Sequence, residues 1–180
     1  MPLDKINVGT IVAGHLATLR DYGTQRRSAV DVFVFFIVPV VLAGLTVWSG
    51  VHVRATAVNA LLAAFSIFVG LLFNVLIMVL TFLQTTQGSP DDRSLVIRKQ
   101  LLREITANLS FAILVALMLV AVAIISLVRT ENDNDPIHAP EAFVLIAGSA
   151  TFVLTLLMIL RRMYALLLNE FDRHKLNRAA

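Results

Sequence analysis

Residues 107–128 read ANLSFAILVALMLVAVAIISLV, a run of 22 residues without a charged side chain. A helix that crosses the roughly 30 Å hydrocarbon core of a bilayer needs about 20 mostly apolar residues. In lipid the backbone amides must bond within the segment, and this run lacks the alternation of a barrel strand. The stretch therefore predicts a membrane-spanning helix.

The composition of the whole chain supports a membrane protein. Of its 180 residues, 58% are hydrophobic and 15% are charged, and the mean hydropathy is +0.82. A soluble domain carries about a quarter charged residues, so this composition argues against a soluble enzyme and a disordered chain. Cysteine is absent, which excludes a disulfide framework, a zinc–thiolate site and a cysteine nucleophile.

Four charge-free runs, including the one that contains the stretch quoted above, set the number of spans. Runs of 22, 36, 24 and 19 residues separate the charged clusters, and the run of 36 is too short for two helices and a turn. The sequence thus predicts an all-α, integral membrane four-helix bundle. The predicted spans, within a transmembrane domain of residues 32–160, are residues 32–50, 56–83, 107–128 and 142–160.

Basic residues predict how the bundle lies in the membrane. The N-terminal segment, first loop, middle loop, third loop and tail hold four, one, four, one and five Lys or Arg residues. The positive-inside rule then places both termini and the middle loop in the cytoplasm, as in a bacterial inner membrane. The pI of 9.8 follows from this topology, and no nucleic-acid partner is expected.

Amphipathic segments flank the spans. Residues 1–31 are predicted to form an interfacial N-terminal segment, in which Ile11, Val12, Leu16 and Leu19 share a helical face. Residues 90–106 predict a cytoplasmic helix that continues into the third span. Residues 161–180 form a basic helical tail. The short first loop predicts that the first two spans pair as a hairpin.

The second span carries a polar stripe. Its members fall within about 80° of arc on a helix, and they line either a conduit or a helix–helix contact. An amide near mid-membrane is costly without a partner, so Asn74 discriminates most between the two alternatives. The stripe consists of Asn59, Ser66, Gly70, Asn74 and Thr81.

Two further sets of residues are candidate interaction sites. Small residues on the third and fourth spans predict helix packing faces: Ala112, Ala116, Ala123, Ser126, Gly148, Thr151 and Thr155. Basic and apolar residues of the cytoplasmic helices are candidates for binding a soluble protein or anionic lipid: Arg93, Arg98, Lys99, Arg103, Arg161, Arg162, Leu167 and Phe171.

Chemical motifs are missing from the spans. None contains Asp, Glu, Lys, Arg or His, which argues against a proton relay and an inward-facing haem site. Residues 131–136 resemble the start of an EF-hand loop but lack its glycine and final glutamate. No catalytic motif appears, so we expect a non-enzymatic protein without cofactor or metal.

The architecture is similar to small four-span bacterial membrane proteins of anti-phage systems, such as the membrane subunit of Kiwa. The similarity covers the basic N-terminal segment (Leu19-Arg20-Asp21 through Arg26-Arg27), the four spans and the basic cytoplasmic helices. It implies a protein that assembles in the inner membrane and senses a partner or perturbs permeability. No functional residue is carried over from it.

Two hypotheses for the function follow. The first is a homo-oligomeric component that forms a pore or alters permeability, and the second is an anchor that recruits a soluble partner through the cytoplasmic helices. A membrane-embedded enzyme or uniporter is a weaker third alternative.

Overall fold

The described part of the chain is mostly helical. The computed structural model describes residues 8–18, 29–85, 93–130, 132 and 135–179. Within these residues there are five helices and no strand, which confirms the predicted all-helical fold. The helices are α1 (Val8–Ala17), α2 (Ala29–Trp48), α3 (Ala55–Thr85), α4 (Arg93–Val128) and α5 (Ala139–Ala179).

Three helices are long and apolar enough to cross a membrane. The segments are Ala55–Leu83 of α3, Arg98–Val128 of α4 and Ala139–Leu168 of α5. The apolar part of α2, Phe33–Trp48, is shorter. By length and composition, the chain is therefore a helical membrane protein, and three of the four predicted spans have counterparts.

Helix boundaries differ from the predicted spans for local reasons. The helix α2 ends at Trp48, two residues before the predicted limit of residue 50. Gly50 adopts a positive φ of 73°, a left-handed conformation that glycine accepts readily and that commonly terminates helices. The helix α4 runs unbroken from Arg93 into the apolar segment, and α5 extends well past its apolar part.

The packing order corrects the predicted hairpin of the first two spans. The helices α3 and α5 both pack on α4, while α2 packs on α5 rather than along α3. The short first loop therefore links two helices that lie on different sides of the α4–α5 pair. The helix α1 packs on α4, and Leu19 of the predicted interfacial face lies outside the described residues.

A seam of large apolar residues joins α3 to the core. Val58, Phe65, Leu72 and Val79 are buried and recur every seven residues. A seven-residue repeat keeps one side of a helix facing its neighbour, and here it faces α4. The ring of Phe65 also meets that of Phe152 on α5 edge-on, with the centroids 5.3 Å apart.

Two loops are joined at one end of the bundle, which we call the loop end (residues 49–54, 129, 130, 132 and 135–138). The amide of Ala55 donates to the carbonyl of Asp135 at 3.2 Å, and that of Ile137 donates to Val53 at 2.9 Å. We call the opposite end, where α1 packs, the α1 end. The loop between α2 and α3 and the loop between α4 and α5 thus form one backbone-bonded unit.

Candidate functional site

The predicted polar stripe of α3 lies on the outside of the bundle. Asn59, Ser66, Gly70, Asn74 and Thr81 are all exposed. At about 100° per residue, the stripe lies about 150° around α3 from the buried seam. The stripe consequently faces away from α4, towards whatever surrounds a single chain.

The members of the stripe differ in how their polar groups are satisfied. The hydroxyl of Ser66 donates to the carbonyl of Leu62 at 2.8 Å, and that of Thr81 donates to Ile77 at 2.9 Å. The amides of Asn59 and Asn74 make no side-chain hydrogen bond within the described part of the chain. The two asparagines therefore carry the unmet hydrogen-bonding capacity of this face.

The predicted packing residues lie mostly inside the bundle. Ala112, Ala116, Ala123, Ser126 and Thr155 are buried. Gly148 and Thr151 are partly exposed. The small residues of α4 and α5 thus serve as helix contacts, and they do not meet the exposed stripe of α3 within one chain.

The helices α4 and α5 approach each other closely at Gly148. A side-chain carbon built on Gly148 would lie 2.5 Å from Cδ2 and 3.3 Å from Cγ of Leu119 on α4. Leu119 is itself buried, so it has little room to move. The absence of a side chain at Gly148 is therefore what lets α5 lie this close to α4.

The predicted basic residues have different surroundings. The guanidinium of Arg98 lies 4.3 Å from the ring centre of Phe82, a cation–π contact between α4 and α3. Lys99, Arg103 and Arg161 are exposed. Leu167 is 54% exposed, and the side chains of Arg93 and Phe171 lie outside the described ones.

A buried polar cluster at the α1 end was missed by the sequence prediction. Its centre is His15, which is 2% exposed. The His15 ring stacks on Phe111 of α4 at 3.9 Å and meets Phe35 of α2 edge-on at 5.6 Å. Because α2 and α4 both contact this one imidazole, His15 fixes the position of α1.

Asn108 supplies the polar partner for His15. In the assigned tautomer, Nδ1 of His15 donates to Oδ1 of Asn108 at 2.8 Å. The hydroxyl of Thr18 lies 2.9 Å from the same oxygen and 2.6 Å from the carbonyl of His15, and it donates its proton to one of the two. The hydrogen bonds of His15 and Thr18 therefore connect the C-terminal end of α1 to Asn108 on α4.

The side-chain amide of Asn108 is not fully hydrogen-bonded. Asn108 is 0% exposed, and its Nδ2 has no hydrogen-bond partner among the described residues. Turning the amide over would let Nδ2 donate to His15 and Thr18, and would leave Oδ1 alone instead. In either orientation one buried polar atom of this amide has no hydrogen-bond partner among the described residues.

An ion pair extends the cluster to α5. Nη1 of Arg162 lies 2.8 Å from Oε2 of Glu104, with side chains only 13% and 17% exposed. Nη2 of Arg162 donates to the carbonyl of Thr18 at 2.6 Å. Arg162, one of the predicted cytoplasmic interface residues, thus holds α1, α4 and α5 together and is largely withdrawn from solvent.

Burial lowers the pKa of His15 below its usual value of 6.5, because the charged imidazolium would lose its hydration. The hydrogen bond with Asn108 acts in the opposite direction, while the nearby Arg162 lowers the pKa further. His15 is accordingly neutral near pH 7.

The loop end has an ion pair of its own. Nη1 of Arg129 lies 2.8 Å from Oε1 of Glu141, and Nδ1 of His138 lies 4.0 Å from Oε2. Arg129 follows the end of α4 and Glu141 lies in the first turn of α5, so each charge suits the helix dipole beside it. This pair stabilises the turn between α4 and α5.

The arrangement offers no metal centre in the part of the chain that the structure describes, because three or more candidate ligands never come together there. Comparison with protein-family models, curated proteins and solved structures found no match. The function therefore has to be argued from the exposed stripe of α3 and the surroundings of the buried cluster.

Proposed function

We propose that the chain is a four-span membrane protein that assembles into a homo-oligomeric pore or permeability-altering complex. The observation that carries the proposal is the exposed polar stripe on α3. Asn59 and Asn74 project from a helix that is otherwise long and apolar enough to lie in lipid. Polar side chains at membrane depth face protein or water, so this face requires a neighbour outside the chain.

Several properties of α2 support a fourth span. The helix is 20 residues long, about 30 Å at 1.5 Å per residue. It packs along α5, and its outer surface is apolar, with Phe33, Phe36, Val40 and Leu45 about half exposed. Such a surface is stable in hydrocarbon and would be poorly hydrated in water.

An even number of spans places both termini on the same side. In the proposed topology, the positive-inside rule assigns 13 of the 15 Lys and Arg residues to the side of the α1 end, which we assign to the cytoplasm of a bacterial inner membrane. The exposed Trp48 then lies near the opposite membrane interface, where an indole is favourable.

A pathway within a single chain is disfavoured by the packing. The small residues of α4 that could have lined it are buried against neighbouring helices. The hydroxyl of Ser126 donates to the carbonyl of Val122 at 2.9 Å, and that of Thr155 donates to Thr151 at 2.8 Å. Copies of α3 from several subunits, with their stripes turned inward, are therefore the proposed lining.

Conductance of purified protein in planar bilayers tests this proposal. Asn74→Leu is expected to change conductance or ion selectivity, whereas Asn74→Gln, which keeps the amide, should retain most of both. Met118→Leu is the matched control, since Met118 is exposed on α4 and lies outside the stripe. Folded, oligomeric protein that never conducts would contradict the pore.

A second candidate function is an anchor for a soluble protein. It is favoured by α5, which extends to Ala179, beyond the apolar segment that ends at Leu168. Leu167 and Tyr164 are exposed near this boundary. Leu167→Lys should then abolish co-purification of a defined partner, with Leu157→Lys within the span serving as a membrane-insertion control.

The anti-phage role is a proposal that rests on the architectural resemblance. Cells that express the chain should survive phage challenge better than cells that express Asn74→Leu. Equal survival with and without the chain would remove this role.

A further inference from the structure

We propose that Arg103 and Arg161 form a binding site for the phosphate of an anionic phospholipid at the α1 end. The inference rests on the proposed membrane placement but is independent of pore formation. Arg103 and Arg161 lie outside the buried cluster and are exposed. The proposed occupant of their site is a phospholipid phosphate.

The ion pair between Glu104 and Arg162 sets the register of α4 against α5. These two side chains point at each other across the helix pair, 2.8 Å apart. The helices run in opposite directions, because α4 enters the loop end where α5 begins. Residues 103 and 161, each preceding one member of the pair, therefore differ by only about 3 Å in height along the helix pair, at 1.5 Å per residue.

Helix geometry then places the two arginines on the same side. Stepping back one residue rotates a side chain by about 100°, and the sense of rotation is mirrored between antiparallel right-handed helices. From the facing positions of Glu104 and Arg162, this step turns Arg103 and Arg161 to the same flank of the α4–α5 pair. Both side chains are exposed there.

The neighbouring residues extend the positive flank. Lys99 is exposed one turn before Arg103 on α4. Ala107, one turn after Arg103, faces α1, where a carbon built on Gly14 would lie 3.8 Å from its Cβ. The proposed site is thus an exposed cationic strip that ends against α1.

The carboxylate closest in sequence does not neutralise this strip. Glu104 is turned into the ion pair with Arg162. Within the described part of the chain, Arg103 and Arg161 form neither an ion pair nor a side-chain hydrogen bond. Their guanidinium groups therefore keep their donors available for an anion.

The depth of the strip favours a lipid. Arg161 follows a charge-free run of 19 residues in α5, about 29 Å of helix and close to the thickness of the hydrocarbon core. Leu157 and Leu160, just before Arg161, are exposed. A phospholipid can place its acyl chains on these leucines while its phosphate accepts hydrogen bonds from the planar guanidinium groups.

Lipid titration by native mass spectrometry tests the proposal. The probes are phosphatidylglycerol and phosphatidylcholine with the same acyl chains, added to full-length protein in a non-ionic detergent. Wild type should bind phosphatidylglycerol more tightly. Each lost guanidinium should weaken the binding of phosphatidylglycerol about fivefold. The double variant Arg103→Gln with Arg161→Gln should therefore bind this lipid about 30-fold more weakly.

Two controls keep the result specific. Arg54→Gln removes an exposed arginine at the loop end and should leave the affinity unchanged. Arg103→Lys with Arg161→Lys should retain more binding than the double Gln variant. If the double Gln variant does not fold, the double Lys variant still tests the site, because it should bind more weakly than wild type.

Three outcomes would overturn the lipid site. They are an unchanged preference in both double variants, an equal loss in Arg54→Gln, and full competition by inorganic phosphate, which would indicate a soluble-anion site. A protein that binds phosphatidylglycerol as proposed but never conducts would contradict the pore alone.

Discussion

Nδ1 of His15 lies 2.8 Å from Oδ1 of Asn108, and this contact joins residues 93 positions apart in the chain. It attaches the short helix α1 to the long helix α4 at the end where the charged residues begin. A ten-residue helix has little stability alone, so tertiary contacts of this kind hold α1 in place.

Proximity of α1 to α4 predicts an efficient disulfide. A carbon built on Gly14 lies 3.8 Å from Cβ of Ala107, which is the mean Cβ separation in disulfides of about 3.8 Å. Gly14→Cys with Ala107→Cys should therefore cross-link under mild oxidation, and the shift is visible on a gel under non-reducing conditions.

Since the chain has no cysteine, the background of this experiment is clean. Gly14→Cys with Ala123→Cys is the control, because Ala123 lies 16 residues further along α4, about 24 Å away. Cross-linking of the control pair alone would show that α1 does not dock at Ala107.

Acid is expected to loosen the α1 end. The folded-state pKa of His15 is lowered, so the unfolded chain binds a proton more readily than the folded chain. The stability that neutral His15 contributes is full above the usual pKa of 6.5 and is lost as the pH falls from there through the lowered value.

Thermal unfolding at pH 7.5 and pH 5 measures this effect. The Tm of the wild type should fall further on acidification than the Tm of His15→Gln. The glutamine cannot titrate but can still hydrogen-bond to Asn108. Glu104 and Arg162 face the cluster in both proteins, and His52 and His138 are exposed at the loop end in both, so the difference between the two proteins reports His15. Identical losses would show that His15 is not buried as described.

Helix contact at Gly148 predicts a position-specific loss of stability. Gly148→Ala forces Leu119 to move within a packed interior, which destabilises by about 1–3 kcal/mol. Gly44→Ala is the matched control, because nothing lies within 4 Å of a carbon built there. Both changes gain the same helix propensity, so their difference isolates the contact.

Unfolding in mixed micelles with a denaturing detergent measures the free energy of unfolding of each variant. Gly148→Ala should be less stable than Gly44→Ala by that amount. Equal stabilities would mean that α4 and α5 are further apart than the structure shows.

Accessibility of single cysteines tests the orientation. His138 at the loop end and Lys99 at the α1 end are both exposed. An impermeant thiol reagent added to intact cells should label His138→Cys and should label Lys99→Cys only after the membrane is opened. The reverse pattern would invert the proposed topology.

Much of the fold follows from local sequence. A charge-free run long enough for a membrane dictates a helix, and the glycine at residue 50 marks the end of α2. Packing order does not follow in this way, because α2 and α5 are joined by no short loop. The prediction that the first two spans pair was wrong for that reason.

Only part of the candidate site was predictable. Periodicity identified the polar stripe of α3, since all its members lie on one helix, but the face that it occupies depends on which side of α3 packs against α4. The cluster around His15 combines residues from four helices, so no spacing reveals it. The available signal was that Glu104 and Arg162 border charge-free runs, where an ion pair between them lowers the penalty of burying each charge.

The hydrogen bonds between the two loops have a mechanical consequence. They tie the α2–α3 and α4–α5 connections into a single rigid cap, so the helices cannot separate at that end without breaking backbone bonds. At the other end, the described contacts between helices are made by side chains, among them His15 with Asn108 and Glu104 with Arg162. An opening of the bundle at the charged end would therefore leave these backbone bonds intact, and it would separate the residues around His15 and Arg162.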